Sequence, residues 1–376
     1  MTLGILSEEQ GEQRVALTPD AVPGLLKSGF QKIMVERGAG SQAFFSDAVY
    51  QQQGATVADR DTVLQEATFL ARISPPDASL LAQLQSRHLL IGQMNPLAQP
   101  DLVTALLKSG ATAFSLDMVP RSTRAQAMDV LSSMATVAGY KAVLLAATHL
   151  PTFFPMMMTA AGTIKPAKVL ILGAGVAGLQ AISTARRLGA VVEAFDVRAA
   201  AKEEVLSLGA KFVEVAGATD DKAAGGYAVE QTEEFKQRQA QAIHDHAVQA
   251  DVVICTAQIP GRRAPLLLRT ATVEAMKSGA VVVDLAASSG GNCEVTQNAQ
   301  TIRYGGVTVI GNSALPSSTP KDASGMFSKN VINFLKLFFD KSGAYSLNFG
   351  DDIIAAACVT HEGQVVSERV KGAMGA

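Results

Sequence analysis

The fold is decided by the stretch "KVLILGAGVAGLQAISTARRLGAVVEAFDVR", residues 168–198. A short run of Val, Leu and Ile leads into Gly173-x-Gly175-x-x-Gly178, which opens a helical pattern stopped by Gly189. A second apolar run then ends at Asp196. Strand, glycine turn, helix, strand and terminal carboxylate, in that order, make a dinucleotide-binding βαβ unit. Gly173 permits the tight turn, Gly175 lets backbone approach a pyrophosphate, and Gly178 allows close packing of helix on strand. Ala174 and Val176, between these glycines, belong to the same cradle, and the helix N-terminus offers it free N–H groups and its dipole. Asp196, about 20 residues beyond the glycines, is placed to accept hydrogen bonds from the adenosine ribose hydroxyls, with Val197 and Arg198 beside it. A carboxylate there repels a 2′-phosphate, so NAD(H) is favoured over NADP(H); Arg198 tempers that preference slightly. The stretch "ERGAGSQ", residues 36–42, lacks a third glycine and reads as a loop, which leaves one dinucleotide site per chain.

Outward from this unit, Val/Ile-rich runs alternate with helical patterns in both directions. From Lys168 on the strand candidates are "KVLILGAG", "VVEAFD", "KFVEV", "DVVICTA", "AVVVDLAA" and "VTVIGN". Before it come "LGILSE", "QKIMVERG", "ATFLARI", "HLLIGQM" and "ATAFSLDMV", separated by segments that open on Ser, Thr or Asp and close on Gly. Such alternation predicts an α/β protein of two Rossmann-like, doubly wound parallel-sheet lobes with a nucleotide cleft between them. Residues 1–132 with 320–376 would form the first lobe and 133–319 the NAD(H)-binding lobe. Long helices near 125–162 and 323–339 would cross between them. The end, "IIAAACVTHEGQVVSERV", reads as a hairpin-like tail turning at Glu362-Gly363.

A chain of 376 residues has room for two such domains. Lys and Arg number 32 against 34 Asp and Glu, and no basic face or tail stands out, so nucleic acid is not an expected partner. The three cysteines, Cys255, Cys293 and Cys358, form no CxxC pair and read as buried small hydrophobes in a reducing compartment. The N-terminus has no basic region leading into an apolar core, so it does not read as a secretory signal. The most apolar run, residues 142–164, is broken by His149, Pro151 and Pro155. It reads as a buried helix pair, and the chain is not expected to insert in a membrane.

Oxidation of an alcohol or amine moves a proton as well as a hydride and calls for a placed His, Lys or Tyr. The five histidines supply no clear candidate: His88 and His149 sit in apolar settings, and His244 and His246 do not share a helix face. No His/Cys/carboxylate cluster has metal spacing, so no metal is expected. Hydride exchange between two nicotinamides needs no proton shuttle.

A second stretch, "VPRSTRAQAMDVLSS", residues 119–133, is unusually polar for the end of a strand. Arg121 and Asp129 can bind a carboxamide or ribose and pair with each other, while Gln126 can both donate and accept. Thr123 to Gln126 also matches a capping box, with Met128, Leu131, Ala135 and Ala138 as a buried stripe. The residues alone leave both readings open. Residues 216–235 are long for a link in a compact α/β unit and carry Gly225-Gly226 before Tyr227; by themselves they read as a charged surface loop.

The chain resembles the soluble NAD(H)-binding component, domain I, of proton-translocating nicotinamide nucleotide transhydrogenases. The resemblance runs from "EQRVALTPD" through "PRSTRAQAMDVLSS", "AGYKAV", "FPMMMTAAGT", "GAGVAGLQAI", "GGYA" and "GGNC" to "SKNVINFLKL". It implies that Arg121, Gln126, Asp129 and Ser132 handle the nicotinamide and that Tyr227 rides on a lid. It also implies hydride transfer from NADH to NADP+ held on an NADP(H)-binding beta subunit, coupled to protons through a membrane-spanning subunit. A homodimer, cytoplasmic and peripheral on the inner face of the membrane, comes with it. The related alanine dehydrogenases use a His and a Lys in the first lobe, whereas "ARISPP" and "LLIGQMNPLAQ" here contain neither. Arg14 remains, and reads as one half of a structural ion pair. Amino-acid dehydrogenation is the second reading and a non-catalytic NAD-sensing module the third.

Overall fold

The computed structural model describes residues 1–217, 232–259, 261–340 and 343–375. The chain divides into two compact units, Met1–Met134 with Ser317–Ala376, and Ala135–Pro316. Both are α/β.

In the first unit eight strands lie in the order Gln364–Val365, Cys358–His361, Thr112–Ser115, Leu89–Gly92, Phe69–Ala71, Thr2–Ile5, Lys32–Glu36, Thr56–Ala58. Neighbours pair in parallel from Thr112–Ser115 onward, and the two C-terminal strands are antiparallel. The central strands are buried along their whole length, which is why they read as continuous apolar runs. Edge-to-face contacts join Phe69, Phe114, Phe334 and Phe338 into an aromatic cluster against this sheet. The expected tail hairpin is present over 358–365 and turns on Glu362 (φ 47°) and Gly363 (φ 73°), both left-handed. The residues leading into it differ: Asp352–Ala357 is a helix, because Asp351 accepts hydrogen bonds from the N–H groups of Ile353 and Ile354 and so starts one.

The second unit orders its strands Lys211–Phe212, Val191–Phe195, Lys168–Leu172, Val252–Cys255, Val281–Asp284, Val307–Gly311, Gln300–Tyr304. From Lys168–Leu172 the chain steps to one side, then returns to build the other. The carboxyl end of that strand is therefore the topological switch point, where open α/β sheets bind ligands. Contrary to expectation, neither sheet is wholly parallel. Gln300–Tyr304 runs antiparallel to Val307–Gly311 because Gly305 and Gly306, both at positive φ, join them too tightly for a crossover.

The long helices are also shorter than their expected spans. Val130–His149 ends ahead of Pro151 and Pro155, and residues 157–164 form a hairpin, Met157–Thr159 with Gly162–Ile164, instead of a second helix. Proline removes the N–H groups a helix would need, and Gly162 takes the turn at φ 129°. The other helix is Pro320–Leu335. Val130–His149 alone among the helices of the described residues is long and apolar enough to cross a bilayer, yet it is a core helix. Ala138, Ala142, Val143 and Ala146 pack with Val169, Ile171 and Ala181. A Cβ at Gly139 would lie 2.1 Å from the Ala177 carbonyl oxygen, so only glycine lets this helix touch the start of Val176–Arg187.

Candidate nucleotide-binding site

The glycine turn sits at the switch point, between Lys168–Leu172 and the helix Val176–Arg187. Gly173 is left-handed (φ 99°), and its N–H donates to the Phe195 carbonyl (2.8 Å). A Cβ there would lie 2.8 Å from Thr256 Oγ1, and one at Gly178 would lie 1.9 Å from the Gly173 carbonyl oxygen. Gly175 differs: nothing lies within 4 Å of its would-be Cβ, and it opens the helix with no side-chain cap. Gly173 and Gly178 are thus required by the protein's own packing, whereas the space at Gly175 is open to a ligand. Val176 is exposed at the same helix start, and Ala174 is buried.

Asp196 follows the second strand with its carboxylate folded back onto this turn. Oδ2 accepts from the Ala174 N–H (2.7 Å) and Arg198 Nη2 (2.8 Å); Oδ1 accepts from the Arg198 N–H (2.8 Å) and Nε (2.9 Å). These four bonds fill the usual acceptor positions of a carboxylate. Ribose hydroxyls reach Asp196 by taking the place of the Arg198 guanidinium. Val197, half-buried, packs against the apolar layer on that side of the sheet.

Sequence reasoning missed two neighbours of the turn. Asp284, wholly buried at the end of Val281–Asp284, accepts from the N–H groups of Ala286, Asn292 and Cys293, each at 2.9 Å. Burial holds its carboxyl above the ordinary range, and the three donors offset part of that rise. Asn292, also wholly buried, accepts from the Ala257 N–H (3.0 Å) and donates to the carbonyls of Ala257 (2.9 Å) and Pro265 (2.8 Å). Thr256 Oγ1 donates to the Gly173 carbonyl (2.8 Å). The "GGNC" segment therefore fixes the loop that in turn holds the glycine turn. Its signal was a Gly-Gly-Asn run shortly after a strand-terminal Asp. Cys255 and Cys293 lie in the same layer as buried free thiols, and burial pushes Cys293 up to about 11.

The polar stretch belongs to the first unit. Thr123–Met128 is a single 3-10 stretch, and the long helix begins only at Val130. Asp129 starts it, accepting from the Ser132 N–H (2.9 Å) and hydroxyl (2.6 Å). The capping box expected from Thr123 to Gln126 is not formed: the cap position is Ser122, whose side chain makes no cap bond, and Asp129 does the capping instead. Arg121 and Gln126 are both exposed.

The groups that would serve an amino or keto acid are engaged elsewhere. Arg14, nearly buried, donates from Nε (2.8 Å) and Nη2 (2.6 Å) to Glu12, the ion pair expected of it. Burial alone would raise the Glu12 carboxyl; Arg14 brings it below its ordinary range. In "ARISPP", Glu8 accepts from the N–H groups of Ile73 (2.5 Å) and Ser74 (2.9 Å). His88 is buried on the Leu64 carbonyl (3.0 Å), His246 pairs with Glu193 (2.7 Å) and His244 with Thr272 (3.0 Å). No group of three His, Cys, Asp or Glu among the described residues is arranged for a metal. Tyr227 and the Gly225-Gly226 pair, read as a lid, lie outside the described residues.

Comparison with known proteins agrees with this geometry. The chain is 41% identical to the first of the separately encoded parts of the NAD(P) transhydrogenase alpha subunit from Rhodospirillum rubrum, over 99% of both chains. The crystal structure of a transhydrogenase from Sinorhizobium meliloti superposes with a TM-score of 0.88 at 40% identity, covering 97% of this chain and 100% of that one. An L-alanine dehydrogenase structure shares the fold at TM-score 0.83 and 24% identity, covering 99% of each chain. The N-terminal domain of the alanine dehydrogenase/PNT family matches residues 4–138 and its C-terminal domain residues 142–368, and the chain belongs to that family.

Proposed function

We propose that this chain is the NAD(H)-binding subunit of a proton-translocating transhydrogenase. NADH bound here would pass a hydride directly to NADP+ on a separate NADP(H)-binding beta subunit, with proton movement in a membrane-spanning subunit. The observation that carries the reading is the engagement of Arg14 by Glu12, beside segments that hold neither Lys nor His. No candidate among the described residues is left to bind an amino acid's carboxylate and move its proton, while hydride exchange between nicotinamides needs neither. The likeness to the Rhodospirillum rubrum transhydrogenase alpha subunit supports the same choice.

In this account the glycine turn and the uncapped N-terminus of Val176–Arg187 hold the pyrophosphate, and Asp196 takes the ribose hydroxyls in exchange for Arg198. Arg121 and Asp129 hold the nicotinamide carboxamide and ribose, Ser132 keeps Asp129 in place, and Gln126 reaches toward the second nucleotide. Tyr227 would close over the bound nucleotide. These residues do no covalent chemistry; they orient the reacting rings and exclude water.

Asp196→Ala tests the binding half. Losing hydrogen bonds to a charged acceptor, worth about 1.5–3 kcal/mol each, should raise the NADH dissociation constant at least tenfold in a fluorescence titration. Unchanged affinity would take Asp196 out of the site. Alanine with NAD+ should give no turnover; turnover would restore the dehydrogenase reading.

The subunit would work as a homodimer, peripheral on the cytoplasmic face of the membrane. The hairpin 157–164 supports this, since Met156, Met157, Met158 and Ile164 are all exposed on or beside it. Light scattering should give twice the chain mass of 39.2 kDa. A monomer at working concentration would remove the dimer from the account.

A further inference from the structure

Arg124 lies between Arg121 and Gln126, and nothing in the proposed chemistry uses it. Its side chain is half-exposed, yet it is held at both amino groups. Nη1 donates to Asp351 Oδ2 (2.6 Å) and Nη2 to Asp351 Oδ1 (2.9 Å), with Asp352 a further partner of Nη2. Asp351 also accepts from the N–H groups of Ile353 (2.9 Å) and Ile354 (3.3 Å). It thereby caps the helix that runs into the sheet strand Cys358–His361, so the Arg124 anchor reaches the sheet. On the other side of Gln126, the Ala127 carbonyl accepts from Asn330 Nδ2 (2.9 Å) and Asn333 Nδ2 (3.3 Å), both on the helix Pro320–Leu335. Asn330 is buried and leaves its own Oδ1 without a hydrogen-bond partner, so its side-chain amide is committed to this loop.

Gln126 is thus an exposed side chain on a backbone fixed two residues before it and one residue after it. An exposed ion pair contributes little to stability, but a forked arginine–carboxylate pair fixes direction. We propose that Arg124, with Asp351 and Asn330, is a positioning clamp that sets the rate of hydride transfer by holding Gln126 and Arg121 in place, touching neither nucleotide. This rests on the function proposed above.

The test uses the full chain with a transhydrogenase NADP(H)-binding subunit, following reduction of an NAD analogue by NADPH in single turnovers at saturating nucleotide. Arg124→Ala should slow transfer roughly 10- to 100-fold, the scale of a misplaced reacting group, with NADH affinity and melting temperature unchanged. Arg124→Lys keeps the charge but loses the fork, and should stay slow. In a Gln126→Ala background Arg124→Ala should add little, because a clamp acts through what it holds. An unchanged rate, a parallel loss of rate and affinity, or a fully additive loss would each overturn the clamp. Slow Gln126→Ala beside normal Arg124→Ala sinks the clamp alone. Gln126→Ala at the parent rate sinks the functional reading and the clamp with it.

Discussion

Gln126→Ala should slow hydride transfer about 100-fold, the loss expected when a reacting pair is misplaced by about 1 Å, while NADH binds as before. The side chain is exposed, so its removal leaves no buried gap. The backbone at 126 is held by Arg124 before it and by the Ala127 carbonyl after it, so truncation removes the amide and nothing else. Stopped-flow transfer rates set beside NADH titrations separate the two quantities. If rate and affinity fell together, Gln126 would be part of the binding surface and would have no separate part in transfer.

The second large effect is at Gly178. A Cβ there would lie 1.9 Å from the Gly173 carbonyl oxygen, an overlap no rotamer relieves. Gly173 cannot retreat: its N–H is bonded to Phe195 and its carbonyl to Thr256. Gly178→Ala should cost about 1–3 kcal/mol of stability through overpacking. Because the distortion falls on the phosphate turn, NADH affinity should drop with it. Gly175→Ala is the contrast, since its Cβ meets nothing within 4 Å and its φ of −75° suits any residue. That variant should melt with the parent protein and lose only nucleotide binding. Calorimetric melting and an NADH titration of both variants check the pair; equal melting temperatures would show that Gly178 is not a packing position.

How much of this was legible in the sequence depended on the range of each interaction. The βαβ unit is local: turn, helix and strand fall within residues 168–198, and every group that shapes the turn announces itself by type and spacing. The parallel strands were equally visible, because burial on both faces makes them continuous apolar runs. The hairpin 157–164 was not. Its six strand residues are all exposed, and "MMT" carries the same apolar signal as a buried helix. Asp284 and Asn292 escaped because buried polar groups have no periodic signature, and the Asn292 partners Ala257 and Pro265 lie in another loop. Arg124 is the extreme case: the carboxylate that holds it is 227 residues away in sequence. Gly139 stands in the recognisable "AGYKAV", but its contact with Ala177 belongs to the packed helices alone.

At the centre is the claim that this chain is one half of a two-nucleotide enzyme. The most direct test is the reduction of an NAD analogue by NADPH, measured with the purified chain alone and then with a transhydrogenase NADP(H)-binding subunit added. The expected result is no transfer by the chain alone and rapid transfer once the second subunit is present. NADH binding without transfer in either mixture would contradict it, leaving a nucleotide-sensing module on the same fold.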